Sequence, residues 1–117
     1  MRILAIDDDD DLRLLIRISL EAAGFEVTEA ASGSEALDLA AGGSFDLLLV
    51  DGMLPDGRGA EIVARLKPLL GPVPVVFLTA AADACLAELP SALGASAKPL
   101  DVTTLPQRLR DLLKGGS

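Results

Sequence analysis

Five chemically suggestive side chains stand at the ends of short apolar runs of the sequence. They are Asp7, Asp8, Asp51, Thr79 and Lys98. If three carboxylates meet, each pair repels by roughly 4 kcal/mol at about 4 Å and an effective dielectric of about 20. The carboxylates then need either a proton or a hard cation. Mg²⁺ suits such a set, because it binds a few carboxylates together with waters and a phosphate.

The same five residues predict one kind of reaction. With a cation and a lysine nearby, Asp51 could act as a nucleophile toward a phosphoryl group, while Thr79 and Lys98 bind the phosphoryl oxygens. Each residue alone has an ordinary explanation, such as a turn aspartate or a solvated lysine. The prediction depends on the whole set in order. The acids at 9–11 are expected to cap the first helix or to face solvent.

Composition and charge narrow the class of protein. The chain has 117 residues, enough for one domain, and half of them are hydrophobic. A net charge of −8 argues against a nucleic-acid surface and favours a cation or a basic partner. The absence of His excludes His-based zinc sites, and the single cysteine, Cys85, fits a reducing compartment. With no signal peptide or membrane-spanning run, we expect a cytoplasmic protein.

The elements that must position these side chains alternate between strand and helix. Apolar runs predict strands at 2–6, 25–30, 45–50 and 73–79, with a weak fifth strand before Lys98. Helical spacing predicts helices at 10–23, at 32–42 with Ser34 as N-cap, from Ile62 to a stop near Pro68, in part of 82–93, and from Thr103 or Thr104 onward. This alternation predicts an α/β doubly wound parallel sheet with helices on both faces, in which ligands bind at the carboxyl ends of strands.

The chain closely resembles the receiver domain of two-component response regulators over about residues 2–113. The motifs that carry the resemblance are ILAIDD with an Arg five residues after the second Asp, LLLVDGMLPDGRG, VVFLTA and AKPLDV. The resemblance implies a five-stranded, flavodoxin-like, CheY-like receiver fold over residues 1–114, followed by a flexible tail at 115–117.

The resemblance also implies roles for the acidic residues. Asp51 would be the phosphoacceptor, and the donor would be a phosphohistidine on a sensor histidine kinase or a histidine phosphotransfer protein. Asp7, Asp8 and Asp51 would hold Mg²⁺ together with the backbone carbonyl of Met53. Asp8 would bind the metal directly and Asp7 through water. The chain would not be an enzyme acting on other substrates, since it would catalyse only its own phosphorylation and dephosphorylation.

The remaining implied roles concern switching. Thr79 would be the hydroxyl that moves toward the phosphoryl group, and Lys98 would pair with the phosphoryl oxygens, with a cis bond to Pro99. The face formed by residues 82–113 would contact a second copy of the chain or a downstream effector. No contact with nucleic acid or membrane is expected of this domain.

One segment departs from the receiver pattern. The stretch GASAKP is about three residues shorter than usual, and Ala95 stands where receivers carry Tyr or Phe. Pro90 lies where the fourth helix should continue, and an interior proline costs about 3 kcal/mol. We therefore expect that helix to end near Leu89 and residues 90–97 to be irregular, so that the fourth helix and fifth strand are short. Our hypothesis is a weakened coupling between Thr79 and this face.

One further expectation follows from two neutral side chains. Met53 and Ala81, two residues past Asp51 and Thr79, cannot orient an attacking water, which predicts slow to moderate self-dephosphorylation.

Two alternatives stay open. A haloacid dehalogenase-type phosphatase would use Asp7 as its nucleophile, although the chain is short for that fold. A phosphorylation-independent interaction module could also keep the receiver fold, and the missing aromatic gives that alternative some weight.

Overall fold

The computed structural model describes residues 1–115 of the chain. Five strands form one parallel sheet: β1 (Arg2–Ile6), β2 (Glu26–Ala30), β3 (Leu47–Asp51), β6 (Val75–Thr79) and β7 (Gly94–Ala97). A short antiparallel hairpin consists of β4 (Met53–Leu54) and β5 (Gly57–Arg58). The helices are α1 (Asp10–Ala22), α2 (Gly33–Gly42), α3 (Gly59–Leu70), α4 (Ala82–Glu88) and α5 (Leu105–Gly115). The predicted α/β fold is confirmed.

The strand order β2-β1-β3-β6-β7 positions the functional residues. The chain first moves outward from β1 to β2, and then crosses to the other side of β1 to form β3. This reversal separates the connections after β1 and β3, which leaves a crevice at their carboxyl ends. Asp7 and Asp51 stand at that point.

Two apolar layers cover the sheet. Alternate residues of β3 point to opposite faces, so Leu48 and Val50 join one buried cluster and Leu47 and Leu49 join the other. The first cluster lies under α2, α3 and α4, and the second lies under α1 and α5. All five residues of β3 are buried, as expected of the central strand of a parallel sheet.

Helix boundaries differ from the sequence expectation at two places. The N-cap of α2 is Ser32, not Ser34, because the Ser32 Oγ accepts the Glu35 N–H at 3.1 Å. Helix α3 does not stop at Pro68 but continues to Leu70. Pro68 lies in the last turn, where the lost hydrogen bond would have gone to the exposed Ala64. The helix ends instead at Gly71, whose φ of +77° suits glycine.

The segment after α4 is more regular than expected. Helix α4 ends at Glu88, close to the predicted end at Leu89, and residues 90–93 form no regular element. The expectation of irregular structure over 90–97 is wrong for Gly94–Ala97, which pair in parallel with β6 as the four-residue strand β7. Small side chains do not prevent pairing at a sheet edge. The predicted short fifth strand and fourth helix are confirmed.

The carboxyl-terminal helix reaches the end of the described chain. Helix α5 extends through Gly115, the first residue of the predicted tail, and the other two residues of that tail lie outside the described residues. Thr104 directly precedes the helix, and its carbonyl accepts the Arg108 N–H at 3.0 Å. Leu105 and Leu109 are buried, as the predicted apolar face requires. No helix in residues 1–115 is long and apolar enough to span a membrane.

Candidate functional site

Three carboxylates meet at the carboxyl ends of β1 and β3. Asp7 follows β1 directly and is fully buried, Asp51 is the last residue of β3 and is 7% exposed, and Asp8 is exposed. One oxygen from each carboxylate lies within 4.8 Å of the others. The sequence analysis predicted these three residues at strand ends, and the structure brings them together.

Lys98 reaches the two buried carboxylates from the loop after β7. Its Nζ lies 2.9 Å from Asp7 Oδ2 and 3.2 Å from Asp51 Oδ2. Its backbone N–H donates to the Thr79 carbonyl at 3.2 Å, which connects the lysine loop to the end of β6. The predicted cis bond between Lys98 and Pro99 is present.

Backbone amides hold the other oxygen of each buried carboxylate. Asp51 Oδ1 accepts the Met53 N–H at 3.1 Å, and Asp7 Oδ1 accepts the Asp9 N–H at 2.9 Å. Both carboxylates therefore present Oδ2 toward Lys98. The ammonium is aligned for a hydrogen bond to Asp51. Toward Asp7 Oδ2 the contact is an ion pair, which leaves that buried oxygen without a hydrogen bond of good geometry within residues 1–115.

The charges of this cluster are not fully balanced by the protein. Burial raises the pKa of Asp51, and the nearby Asp7 carboxylate adds to the increase, while the Met53 N–H and Lys98 oppose it. Burial works against the charge on Lys98, but its contacts with Asp7 and Asp51 outweigh this and raise its pKa. One ammonium thus contacts two buried carboxylates, and the third carboxylate, Asp8, adds a further negative charge to the cluster.

This donor set fits a hard divalent cation. Carboxylate oxygens are the ligands that Mg²⁺ prefers, and the Asp7 Oδ2 atom still has capacity to accept a bond from a metal-bound water. The arrangement can therefore hold a metal ion. Met53 is exposed and lies two residues past Asp51 at the same edge. Its proposed carbonyl contact with the metal stays a prediction.

Thr79 lies at the end of β6 with only 6% of its surface exposed. Its Oγ1 accepts the Ala81 N–H at 2.9 Å, so the hydroxyl is held by the loop that follows it. A Cβ placed on Gly52 would lie 2.7 Å from Thr79 Oγ1 and 2.7 Å from Cys85 Sγ. Glycine directly after Asp51 is therefore what allows Thr79 and α4 to pack this closely against the loop. Sequence reasoning missed Gly52, because a glycine after a strand reads as an ordinary turn residue.

Asp56 is a second residue that sequence reasoning missed. It lies between β4 and β5 and accepts the Gly33 N–H at 2.9 Å and the Ser34 N–H at 2.8 Å. These two hydrogen bonds lower the pKa of Asp56. The carboxylate therefore caps α2 from a distant loop and connects the segment after Asp51 to that helix. Asp56 lies 22–23 residues along the chain from the start of α2, so no local sequence pattern indicates this role.

The strand that lacks an aromatic residue lies beside the site. Ala95 pairs with Phe77 in the register of β6 and β7 and is partly exposed. Its carbonyl accepts a hydrogen bond from Arg108 Nη2 at 3.0 Å, which covers part of the open sheet edge. The face of residues 82–113 thus presents Ala95 at this edge, with Arg108 bound to its carbonyl.

Comparison with known proteins identifies the class. The family model for the response regulator receiver domain matches residues 3–110. The chain belongs to this family and is a receiver domain of the two-component response regulators. Sensor histidine kinases are the general partners of this class.

Relatives and solved structures agree with this assignment. The chain is 33% identical to the uncharacterized transcriptional regulatory protein YkoG of Bacillus subtilis over 96% of its own length, and spans about half the length of that relative. It is similar to the chemotaxis response regulator CheY4 of Vibrio cholerae, with 30% identity, a TM-score of 0.86 and coverage of 95% and 97% of the two chains. It is also similar to TrrA of Thermotoga maritima, solved in complex with Mg²⁺-BeF, with 26% identity, a TM-score of 0.79 and coverage of 95% and 97%.

Proposed function

We propose that Asp51 accepts a phosphoryl group from a phosphohistidine of a sensor histidine kinase or a histidine phosphotransfer protein. The observation that carries the proposal is the position of Lys98 Nζ, 3.2 Å from Asp51 Oδ2 and 2.9 Å from Asp7 Oδ2, at adjacent strand ends. A lysine and an acidic group beside a strand-end carboxylate form a site for an anion that arrives with a cation.

We propose Mg²⁺ as that cation, held by Asp7, Asp8, Asp51 and the Met53 backbone carbonyl. When bound, Mg²⁺ would neutralise the carboxylates and the oxygens of the incoming phosphoryl group. The TrrA structure supports this choice, since that related receiver was solved with Mg²⁺-BeF.

The protein's own residues supply the rest of the reaction. A carboxylate oxygen of Asp51 attacks phosphorus, a P–O bond forms, and the P–N bond of the phosphohistidine breaks with its electron pair returning to the imidazole. Lys98 pairs with the transferred oxygens, and the Thr79 hydroxyl leaves its contact with the Ala81 N–H to donate to one of them. Such transfers need positioning and charge neutralisation more than covalent assistance, and these contacts would supply both together with the bound cation.

We propose that the domain catalyses only its own phosphorylation and dephosphorylation. Met53 and Ala81 lie two residues past Asp51 and Thr79, and their side chains offer no hydrogen bond to a water. Loss of the phosphoryl group is therefore expected to be slow to moderate.

We further propose that phosphorylation changes the face of residues 82–113 and that this face contacts a second copy of the chain or a protein effector. The net charge of −8 favours protein partners over nucleic acid for this domain. A phosphohistidine donor and a single reduced cysteine favour the cytoplasm as its compartment.

Incubation with a small-molecule phosphodonor and Mg²⁺, read by intact mass, tests the proposal. We expect the wild-type chain to gain the mass of one phosphate and Asp51→Asn to gain none. Asp38→Asn, an exposed aspartate on α2, is the matched control and should behave as wild type. A wild-type chain that gains no phosphate would instead support the phosphorylation-independent interaction module, which the short β7 and Ala95 favour.

A further inference from the structure

Arg13 makes contacts that the proposed reaction does not use. Its Nη1 donates to the backbone carbonyl of Asp7 at 2.8 Å, and its Nε donates to Glu29 Oε1 at 3.1 Å. Its Nη2 lies 2.9 Å from Asp10 Oδ1. These partners belong to the end of β1, to β2 and to the first turn of α1. One planar side chain therefore connects three elements around the acidic pair.

The guanidinium is held firmly in this place. Its side chain is only 14% exposed. Burial works against its charge, but hydrogen bonds and charges from Asp10 and Glu29 outweigh burial and raise the pKa of Arg13. Glu29 is itself bound from a second side, since Arg17 Nη1 lies 2.8 Å from Glu29 Oε2. A lysine could keep the charge of Arg13 but could not reproduce three donors in one plane.

The contact with the Asp7 carbonyl fixes the peptide that leads to Asp8. The Asp7 N–H already donates to the Ala30 carbonyl at 3.1 Å, and Asp7 Oδ1 accepts the Asp9 N–H at 2.9 Å. With Arg13 on the carbonyl, both backbone polar groups of Asp7 are bound. The orientation of the peptide between Asp7 and Asp8 is therefore set, and with it the direction from which the exposed Asp8 side chain departs.

We propose that Arg13 is a positioning residue for the cation site, acting through the Asp7 carbonyl to aim the Asp7 and Asp8 carboxylates. This inference rests on the proposed Mg²⁺ site and adds a residue that touches neither the cation nor the phosphoryl group. Residues that orient metal ligands typically change metal affinity about 10-fold to 100-fold when they are altered.

Arg17 provides a matched control within the same helix. Arg17 also binds Glu29, and its Nε lies 3.3 Å from Glu21 Oε1, but it has no contact with Asp7. Arg13→Lys and Arg17→Lys each keep the charge and each weaken the connection between α1 and β2. Only Arg13→Lys removes the guanidinium that donates to the Asp7 carbonyl.

The test compares Mg²⁺ affinity, measured by isothermal titration calorimetry, with the thermal midpoint in a metal-free buffer containing EDTA. We expect Arg13→Lys to weaken Mg²⁺ binding about tenfold and Arg17→Lys to stay within about twofold of wild type. Phosphorylation of Arg13→Lys by a small donor should recover toward the wild-type rate at saturating Mg²⁺, because the defect lies in affinity.

Any of the following results would overturn the inference. Wild-type affinity in Arg13→Lys, or an equal loss in Arg17→Lys, would each show that Arg13 is merely structural while leaving the proposed function intact. A wild-type chain that binds no Mg²⁺ would overturn the proposed function together with this inference.

If Arg13→Lys does not fold, NMR of the unaltered protein replaces the comparison of variants. The Arg13 Nε–H signal should then shift with the same Mg²⁺ saturation as the Asp8 amide, and an unmoved signal would overturn the inference.

Discussion

Lys98 Nζ lies 3.2 Å from Asp51 Oδ2, although the two residues are 47 positions apart in the sequence. The same ammonium lies 2.9 Å from Asp7 Oδ2. One lysine thus offsets the charge of two buried carboxylates at neighbouring strand ends, and it stands where the oxygens of a phosphoryl group on Asp51 would need a partner. We therefore propose two separable roles for Lys98, one in stability and one in phosphorylation.

Replacing Lys98 with methionine should affect both roles. We expect phosphorylation by a small donor at saturating Mg²⁺ to fall by about 10²-fold, because a charged group facing the transferred oxygens is lost. In metal-free buffer the unfolding free energy should fall by about 3 kcal/mol, since Asp7 and Asp51 remain buried without the positive charge of Lys98. Lys67→Met, at an exposed position on α3, is the control. Unchanged phosphorylation in Lys98→Met would contradict the role of Lys98 in phosphoryl binding.

Mg²⁺ should stabilise the folded chain through the acidic cluster. At a Mg²⁺ concentration of about 100 times its dissociation constant, binding only to the native state adds about 2.7 kcal/mol to the unfolding free energy. Asp8→Asn should lose most of this gain while leaving the metal-free stability nearly unchanged, because Asp8 is exposed. Thermal unfolding with Mg²⁺ and with EDTA measures both quantities. An Asp8→Asn chain that gains as much from Mg²⁺ as wild type would remove Asp8 from the site.

Gly52→Ala should destabilise the domain. The added Cβ would lie 2.7 Å from both Thr79 Oγ1 and Cys85 Sγ, which forces these side chains to shift at a cost of about 1–3 kcal/mol. Gly42→Ala is the control, since nothing lies within 4 Å of a Cβ there. Urea unfolding measures the difference. The double variant Gly52→Ala with Cys85→Ala should recover part of the loss, and equal stability of the two glycine variants would show that the space around Gly52 is not limiting.

Asp56 should titrate below the usual range of an aspartate. The Gly33 and Ser34 amides lower the pKa of Asp56 in the folded state. Because the folded pKa lies below the unfolded one, the stabilisation is present above the unfolded pKa of about 3.9 and is lost as the pH falls through the folded pKa. NMR titration of the carboxyl carbons measures the midpoint of Asp56 directly. The stability gap between wild type and Asp56→Asn should shrink as the pH falls below about 4. A normal titration midpoint for Asp56 would contradict the capping of α2.

Much of the site could be predicted because parallel strands carry the residues that follow them to one sheet edge. Asp7, Asp51 and Lys98 meet for this reason, and their order along the chain was sufficient to place them. Contacts made by loops were harder. Asp56 reaches the start of α2 through the β4–β5 hairpin, and no local pattern encodes that approach.

The helix and strand boundaries that were predicted incorrectly also have physical explanations. Ser32 and Ser34 both suit an N-cap, and in the structure Ser32 caps α2 while Asp56 binds the Ser34 amide. Strand β7 has weak intrinsic strand preference in GASA, and its pairing with β6 overrides that preference. The helix end predicted near Pro68 was too early, because a proline in the last turn removes only one hydrogen bond.

Locating the modified residue shows whether Asp51 carries the phosphoryl group. The phosphorylated chain would be treated with hydroxylamine, which converts an acyl phosphate to a hydroxamate, and mapped by peptide mass spectrometry. We predict a single modified residue, Asp51, and no modification when Mg²⁺ is replaced by EDTA. A label on Asp7 would contradict the account and support the phosphatase alternative.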